Sequence, residues 1–137
     1  MCIATSGCAS GAPRVPSNVI VAPQAPAAWP TPIVAAPNAL PQIQAVRFSS
    51  LDVALGNDWS GEIVASSNTA SIEIFTNLFD FSVPRPTVGH FAFSFHMLDV
   101  PPFFIRAYPL RIIARNTAGV KVEEIAPFRI RGRSSTP

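Results

Sequence analysis

Between His90 and Met97 the chain alternates large apolar and small or polar side chains without a break. Phe91, Phe93, Phe95 and Met97 fall on one parity, His90, Ala92, Ser94 and His96 on the other. Successive side chains of a strand point to opposite faces, so a strand gathers the three rings on one side, whereas a helix would scatter them around its circumference. Burying each phenylalanine is worth about 1.5–3 kcal/mol, which makes this stripe the largest single contribution to a core. The same period of two, broken by turn residues at intervals of about 8–12, recurs from Gln42 to Arg131 and predicts an all-β sandwich or barrel.

Seven strand-like runs make up that region. Val46 and Phe48 alternate on one parity and Leu51, Val53 and Leu55 on the other, so Ser49-Ser50 predicts a bulge or a switch between sheets. After the Gly56-Asn57-Asp58 turn, Trp59, Gly61, Ile63 and Ala65 form the apolar face of the second run. Ile72 and Ile74 flank Glu73 in the third, Phe79, Phe81 and Val83 alternate in the fourth, and the Phe91 run is the fifth. In the sixth, Tyr108, Leu110, Ile112 and Ala114 point inward and Arg111, Ile113 and Arg115 outward, before an Asn116-Thr117-Ala118-Gly119 hairpin. The seventh runs from Val120 to Arg131, where Glu123-Glu124 and Pro127 predict a bulge or an edge position. Residues 132–137 are a short polar tail.

Residues 1–41 follow another grammar. They hold eight of the fifteen prolines, ten alanines and one charged residue, Arg14. Proline fixes φ and removes a ladder donor, so this stretch predicts an extended, partly polyproline-like arm or linker that adds little to stability. Whether Trp29 and Ile33-Val34 dock on the domain is left open by the residues alone. No run of about 18 apolar residues occurs that could cross a bilayer as a helix. With 48% hydrophobic and only 13% charged residues, the fold has to bury much of its apolar content.

The residues that could carry chemistry do not converge in sequence. His90 and His96 share a strand face but stand about 20 Å apart at roughly 3.3 Å per residue, too far to ligate one metal. Ser94 points outward beside His96 at about 7 Å, and no Gly-x-Ser-x-Gly elbow, phosphate loop or dinucleotide fingerprint is present. The expectation is a chain with no catalytic residues, no metal site, no cofactor and no small-molecule substrate.

The run Tyr108-x-Leu110-x-Ile112-x-Ala114-x-Asn116, followed by Thr117-Ala118-Gly119 and a last strand, resembles bacterial immunoglobulin-like domains over residues 42–131. The resemblance implies a seven-stranded antiparallel Ig-like β-sandwich behind the Pro/Ala-rich arm. It implies a fold and not an activity. Three departures mark this chain: no cysteine pair bridges the sheets, Trp59 lies on the second strand instead of the third, and Pro109 interrupts the tyrosine motif, so the ladder on that side should begin only after it. Near the N-terminus, Thr5-Ser6-Gly7-Cys8-Ala9-Ser10 resembles the end of a bacterial lipoprotein signal, which implies that Cys8 is a lipidation candidate and the location extracytoplasmic. The alternative is that Cys2 and Cys8 are incidental thiols.

These readings combine into a structural or protein-interaction module of a bacterial cell-envelope or secreted protein. The expected partner is a protein or cell-surface component; nucleic acid is not expected, and a membrane is involved only through a lipid anchor. The alternative is a module binding a glycan or an anionic polymer. Candidate contact residues are Phe103 and Phe104 in the connection between the fifth and sixth strands, unless they plug the core, and Ile113 among Arg111, Arg115, Arg129 and Arg131. Charge is uneven, since residues 42–99 carry net −4 and residues 100–137 net +5, and cross-strand pairing is expected to neutralise much of it. The strand neighbours that the resemblance implies would set Glu73 beside Arg111, Arg115, Arg129 and Arg131 on a mostly basic face.

Overall fold

The computed structural model describes residues 15–22, 24 and 28–132. Cys8, the lipidation candidate, lies outside them. Among the described residues nine strands form two sheets: β1 (Val19–Val21), β2 (Ile43–Phe48), β3 (Asp52–Ala54), β4 (Asp58–Ala65), β5 (Thr69–Phe75), β6 (Asp80–Ser82), β7 (His90–His96), β8 (Ala107–Asn116) and β9 (Lys121–Arg131). The first sheet has the order β1-β2-β4-β7 and the second β3-β9-β8-β5-β6. Pairing is antiparallel except for β1 with β2 and β3 with β9. With β2, β4 and β7 read as strands A, B and E and β5, β8 and β9 as C, F and G, this is the Greek-key order of an immunoglobulin-like sandwich.

All seven expected runs are strands. The change of parity at Ser49-Ser50 is a change of sheet: β2 belongs to the first, and β3 crosses to lie along β9 in the second. Pro109 acts as its missing donor requires. The pairing of β8 with β9 begins at Ala107, whereas that with β5 begins at Arg111.

The core fills the space between the sheets around Trp59, which has no exposed surface. Its ring lies 4.9 Å from Phe93, 5.5 Å from Phe48 and 4.8 Å from Phe128 of the opposite sheet, and its Nε1 donates to the Ser50 carbonyl at 2.7 Å. Gly61 makes this packing possible, since a Cβ there would stand 2.6 Å from the Phe93 ring. Phe95 sits at the rim of the cluster, stacked on Phe81 at 5.2 Å.

The arm differs from the expected spacer. Val19-Ile20-Val21 adds strand β1 to the edge of β2, with Asn18 and Ala22 supplying backbone hydrogen bonds at either end. Trp29 then crosses the outer face of the first sheet beneath the Arg47 guanidinium, 5.0 Å from its ring centroid. The Ile33 N–H donates to Gln44 Oε1, Ala35 N–H to Ser67 Oγ, and the side-chain amides of Asn68 and Asn116 both donate to the Ala39 carbonyl. Pro32 presses on Gly89, whose φ of 76° and lack of Cβ leave it room. Val64, an outward position on β4, is consequently only 1% exposed.

Strand β9 has an open side. Only Asp52–Ala54 of β3 pairs along it, against Arg129–Arg131, so its outer edge from Lys121 to Phe128 carries no strand among the described residues. Its register with β8 runs from Lys121 to Arg129 without a shift, so Glu123, Glu124 and Pro127 mark an edge and not a bulge. Glu124 points inward, opposite buried Ile112. Its Oε2 accepts from Asn18 Nδ2 at 2.8 Å, its Oε1 is buried without a partner, and burial pushes its carboxyl up.

Candidate functional site

Two regions hold the residues singled out in the sequence. The first is the pole where β7 ends and β8 begins. Here Pro101 ends the extended chain and Pro102–Phe104 forms one 3-10 turn, closed by the N–H groups of Phe104 and Ile105 on the carbonyls of Pro101 and Pro102. The Tyr108 hydroxyl donates to the Phe104 carbonyl at 2.7 Å, a tyrosine corner of the kind found at the start of this strand in immunoglobulin-like sandwiches. The turn is therefore held from both ends.

Its side chains correct the reading of Phe103 and Phe104 as a core plug. Phe103 is 73% exposed and Leu98 66%, while Phe104 is half-buried with its ring 4.5 Å from that of Phe103. Met97, Val100 and Ile105 are the apolar residues of this connection that pack on the core. The pole thus presents an apolar knob on a fixed backbone, beside the exposed Arg106, whose guanidinium lies 5.1 Å over the Tyr108 ring.

The second region is the outer face of the five-stranded sheet. It brings Arg111 and Arg115 together with Glu73 as expected, but also with Glu123 and Asp80. Arg111 makes a two-pronged bond to Glu123 at 2.6 and 2.8 Å and lies over the Phe75 ring; Arg115 reaches Glu73 at 2.9 Å. Hydrogen bonds from Asp80 and then Arg115 hold Glu73 below the usual glutamate range, and the same Glu73 contact pushes Asp80 up. The Arg111 hydrogen bond holds Glu123 low as well. Arg131 is bound by Asp52 at 2.7 Å. The face is a lattice of paired charges in place of a mostly basic one; of the four arginines placed on it from the sequence, Arg129 alone is exposed with no acidic partner among the described residues.

Ile113 corrects a further expectation. It is 5% exposed, not an apolar contact group, because Glu73 and Glu123 flank it across the sheet and Arg111 and Arg115 along its own strand. Those four charged side chains, joined in two ion pairs, surround it.

Across the molecule, on the outer face of the first sheet, His96 Nδ1 and Asp58 Oδ1 are 2.8 Å apart, a pairing that follows from the β4–β7 register and was not readable from sequence spacing. Both are exposed, and no serine hydroxyl is hydrogen-bonded to His96 among the described residues. His90 stands opposite Val64, at the other end of the strand. No group of three His, Cys, Asp or Glu side chains that could hold a metal ion occurs among the described residues.

Strand order and tyrosine corner define an immunoglobulin-like β-sandwich module. No family model matches the chain, and no curated protein does. Among solved structures, it is similar in part to the fibronectin(III)-like modules of Clostridium thermocellum CbhA, at 16% identity over 66% of this chain and 99% of that one, with a TM-score of 0.44. It is also similar in part to murine CRIg, at 8% identity over 69% of this chain and 98% of that one, with a TM-score of 0.37.

Proposed function

We propose that the chain is a non-catalytic protein-interaction module of a bacterial cell-envelope or secreted protein, and that it meets its partner through the Leu98–Phe103 pole. The observation that carries this reading is an aromatic side chain 73% exposed on a backbone already pinned by the Tyr108 hydroxyl and two turn hydrogen bonds. An anchor presented on a rigid turn loses little conformational entropy on binding, which is where interfaces gain affinity. Attachment through Cys8 would add a lipid tether at the far end of the arm and suits the same location. The glycan alternative is served less well. Trp29 and Phe75 are each covered by an arginine, and Phe103 and Phe104 are tilted 41° to one another, so no flat row of rings is offered.

The test is chemical cross-linking in envelope fractions of the source cells, comparing the wild-type chain with Phe103→Ser and Leu98→Ser. Both residues are exposed, so the unfolding free energy should stay within about 0.5 kcal/mol of wild type. Cross-linked species lost in both variants support the pole as the contact surface. The same species persisting in both would overturn it, and retention on heparin lost with Arg129→Glu would favour the anionic-polymer alternative.

A further inference from the structure

The opposite pole contains a cavity of about 320 Å³. Four separate segments wall it: the arm at Ala35 and Pro37, the β4–β5 turn running into β5 from Ser67 to Ala70, the β6–β7 connection at Arg85 and the hairpin at Thr117. The wall is firmly built. Ser67 Oγ accepts from Ala35 at 2.9 Å and Asn68 Nδ2 donates to Ala39 at 2.7 Å, so both side chains are committed to holding the arm.

What remains uncommitted is a set of donors. Arg47, Arg111, Arg115 and Arg131 each have a carboxylate partner, but the Arg85 guanidinium makes a single long contact, 3.4 Å, to the Thr69 carbonyl, and no acidic partner among the described residues. The Thr117 hydroxyl has no hydrogen bond among the described residues. The β5–β8 register slips between Thr69 and Ser71, leaving Ala70 without a Cα partner across the ladder. Arg129 also lacks an acidic partner, but it lines none of the cavities described.

We propose that this cavity binds a small ligand carrying an oxyanion, a carboxylate or a phosphate, with Arg85 as its charged anchor and Thr117 as a second donor. A guanidinium offers five N–H donors in a fork that fits either group, and its one long contact leaves most of them available. Because Pro37 and Ala35 of the arm form one wall, a bound ligand bridges arm and sandwich and stabilises their docking by mass action.

The test titrates inorganic phosphate and, separately, acetate into the full chain at low ionic strength, following the backbone amide resonances of Ala70 and Thr117. A saturable shift with either probe supports the site, and which probe saturates first distinguishes phosphate from carboxylate ligands. Arg85→Gln, an exposed position that leaves the fold intact, should weaken that binding by about tenfold or more, while Arg129→Gln should leave it unchanged. Saturation should also slow proteolysis of the arm in the wild-type chain but not in Arg85→Gln. No saturable shift with either probe, or equal binding by Arg85→Gln, overturns the proposal.

Discussion

The two outer faces of the sandwich solve one problem in different ways. Each carries a β-branched residue at an outward position, Val64 on β4 and Ile113 on β8, and each is almost fully hidden, at 1% and 5% exposure. On the first sheet the cover is a length of chain: the arm lays Trp29 and Pro32 across β4 and β7 and is held by backbone and amide hydrogen bonds. On the second sheet the cover is four charged side chains joined in two ion pairs. A chain segment excludes water whatever the pH or salt, whereas a roof of exposed ion pairs lasts only while its charges do. The first face is therefore the stable one and the second the responsive one.

Deleting residues 1–41 should break the comparison most severely. It exposes Val64 and strands several hydrogen-bonding groups, which together amount to about 3 kcal/mol or more. For a domain of this size that lowers the thermal midpoint by roughly 10 °C or more. A midpoint within about 2 °C of the full chain would show that the arm rests on the face without stabilising it, which is what its proline content alone predicts.

A smaller effect separates the arm's contact from the backbone beneath it. Gly89→Ala places a Cβ 2.5 Å from Pro32 and 2.8 Å from the Ala65 carbonyl at a positive φ, and should cost about 1–3 kcal/mol in the full chain. In the arm-deleted chain the Pro32 clash is gone and the cost should shrink. Equal costs in the two backgrounds would place Pro32 elsewhere.

The smallest effect is on the charged face and depends on pH. Glu123 is held below its ordinary value of 4.5, so its contribution is complete above that value and is lost as the pH falls through the lowered one. Glu73 behaves in the same sense, while Asp80, pushed up by Glu73, contributes in the opposite sense and loses its part as the pH rises. Unfolding free energies of wild type and Glu123→Gln from denaturant titration should differ by no more than about 1 kcal/mol at neutral pH and converge in acid. A difference that grows in acid would mean that Glu123 is not the group holding Arg111.

Much of the fold was legible because period two reports which side of a sheet a residue faces. The Phe91 stripe, the Trp59 face and the sheet switch at Ser49-Ser50 all follow from parity. Parity does not report what lies over the other side, so the cover over Val64 went unread, Ile113 read as an exposed contact residue, and Glu123 and Asp80 went uncounted on a face assembled from strands far apart in sequence. Strand β1 did leave a signal, since Val19-Ile20-Val21 is the longest continuous β-branched run of the arm, but the surrounding prolines outweighed it. At the distal pole, composition could not decide between four apolar candidates for two inward places, and Val100 and Ile105 took them in preference to Phe103 and Phe104.

The open side of β9 bears on how many of these molecules can share a small space. An exposed strand edge is a template on which another chain can zip up, and the risk grows with local density. A neighbour pairing along Lys121 to Phe128 would have to seal in a carboxylate whose Oε1 already lacks a partner, and would find Pro127 with no N–H to offer. Copies tethered side by side on a surface would jostle as separate particles, free to turn their apolar knobs outward, instead of fusing into a fibre.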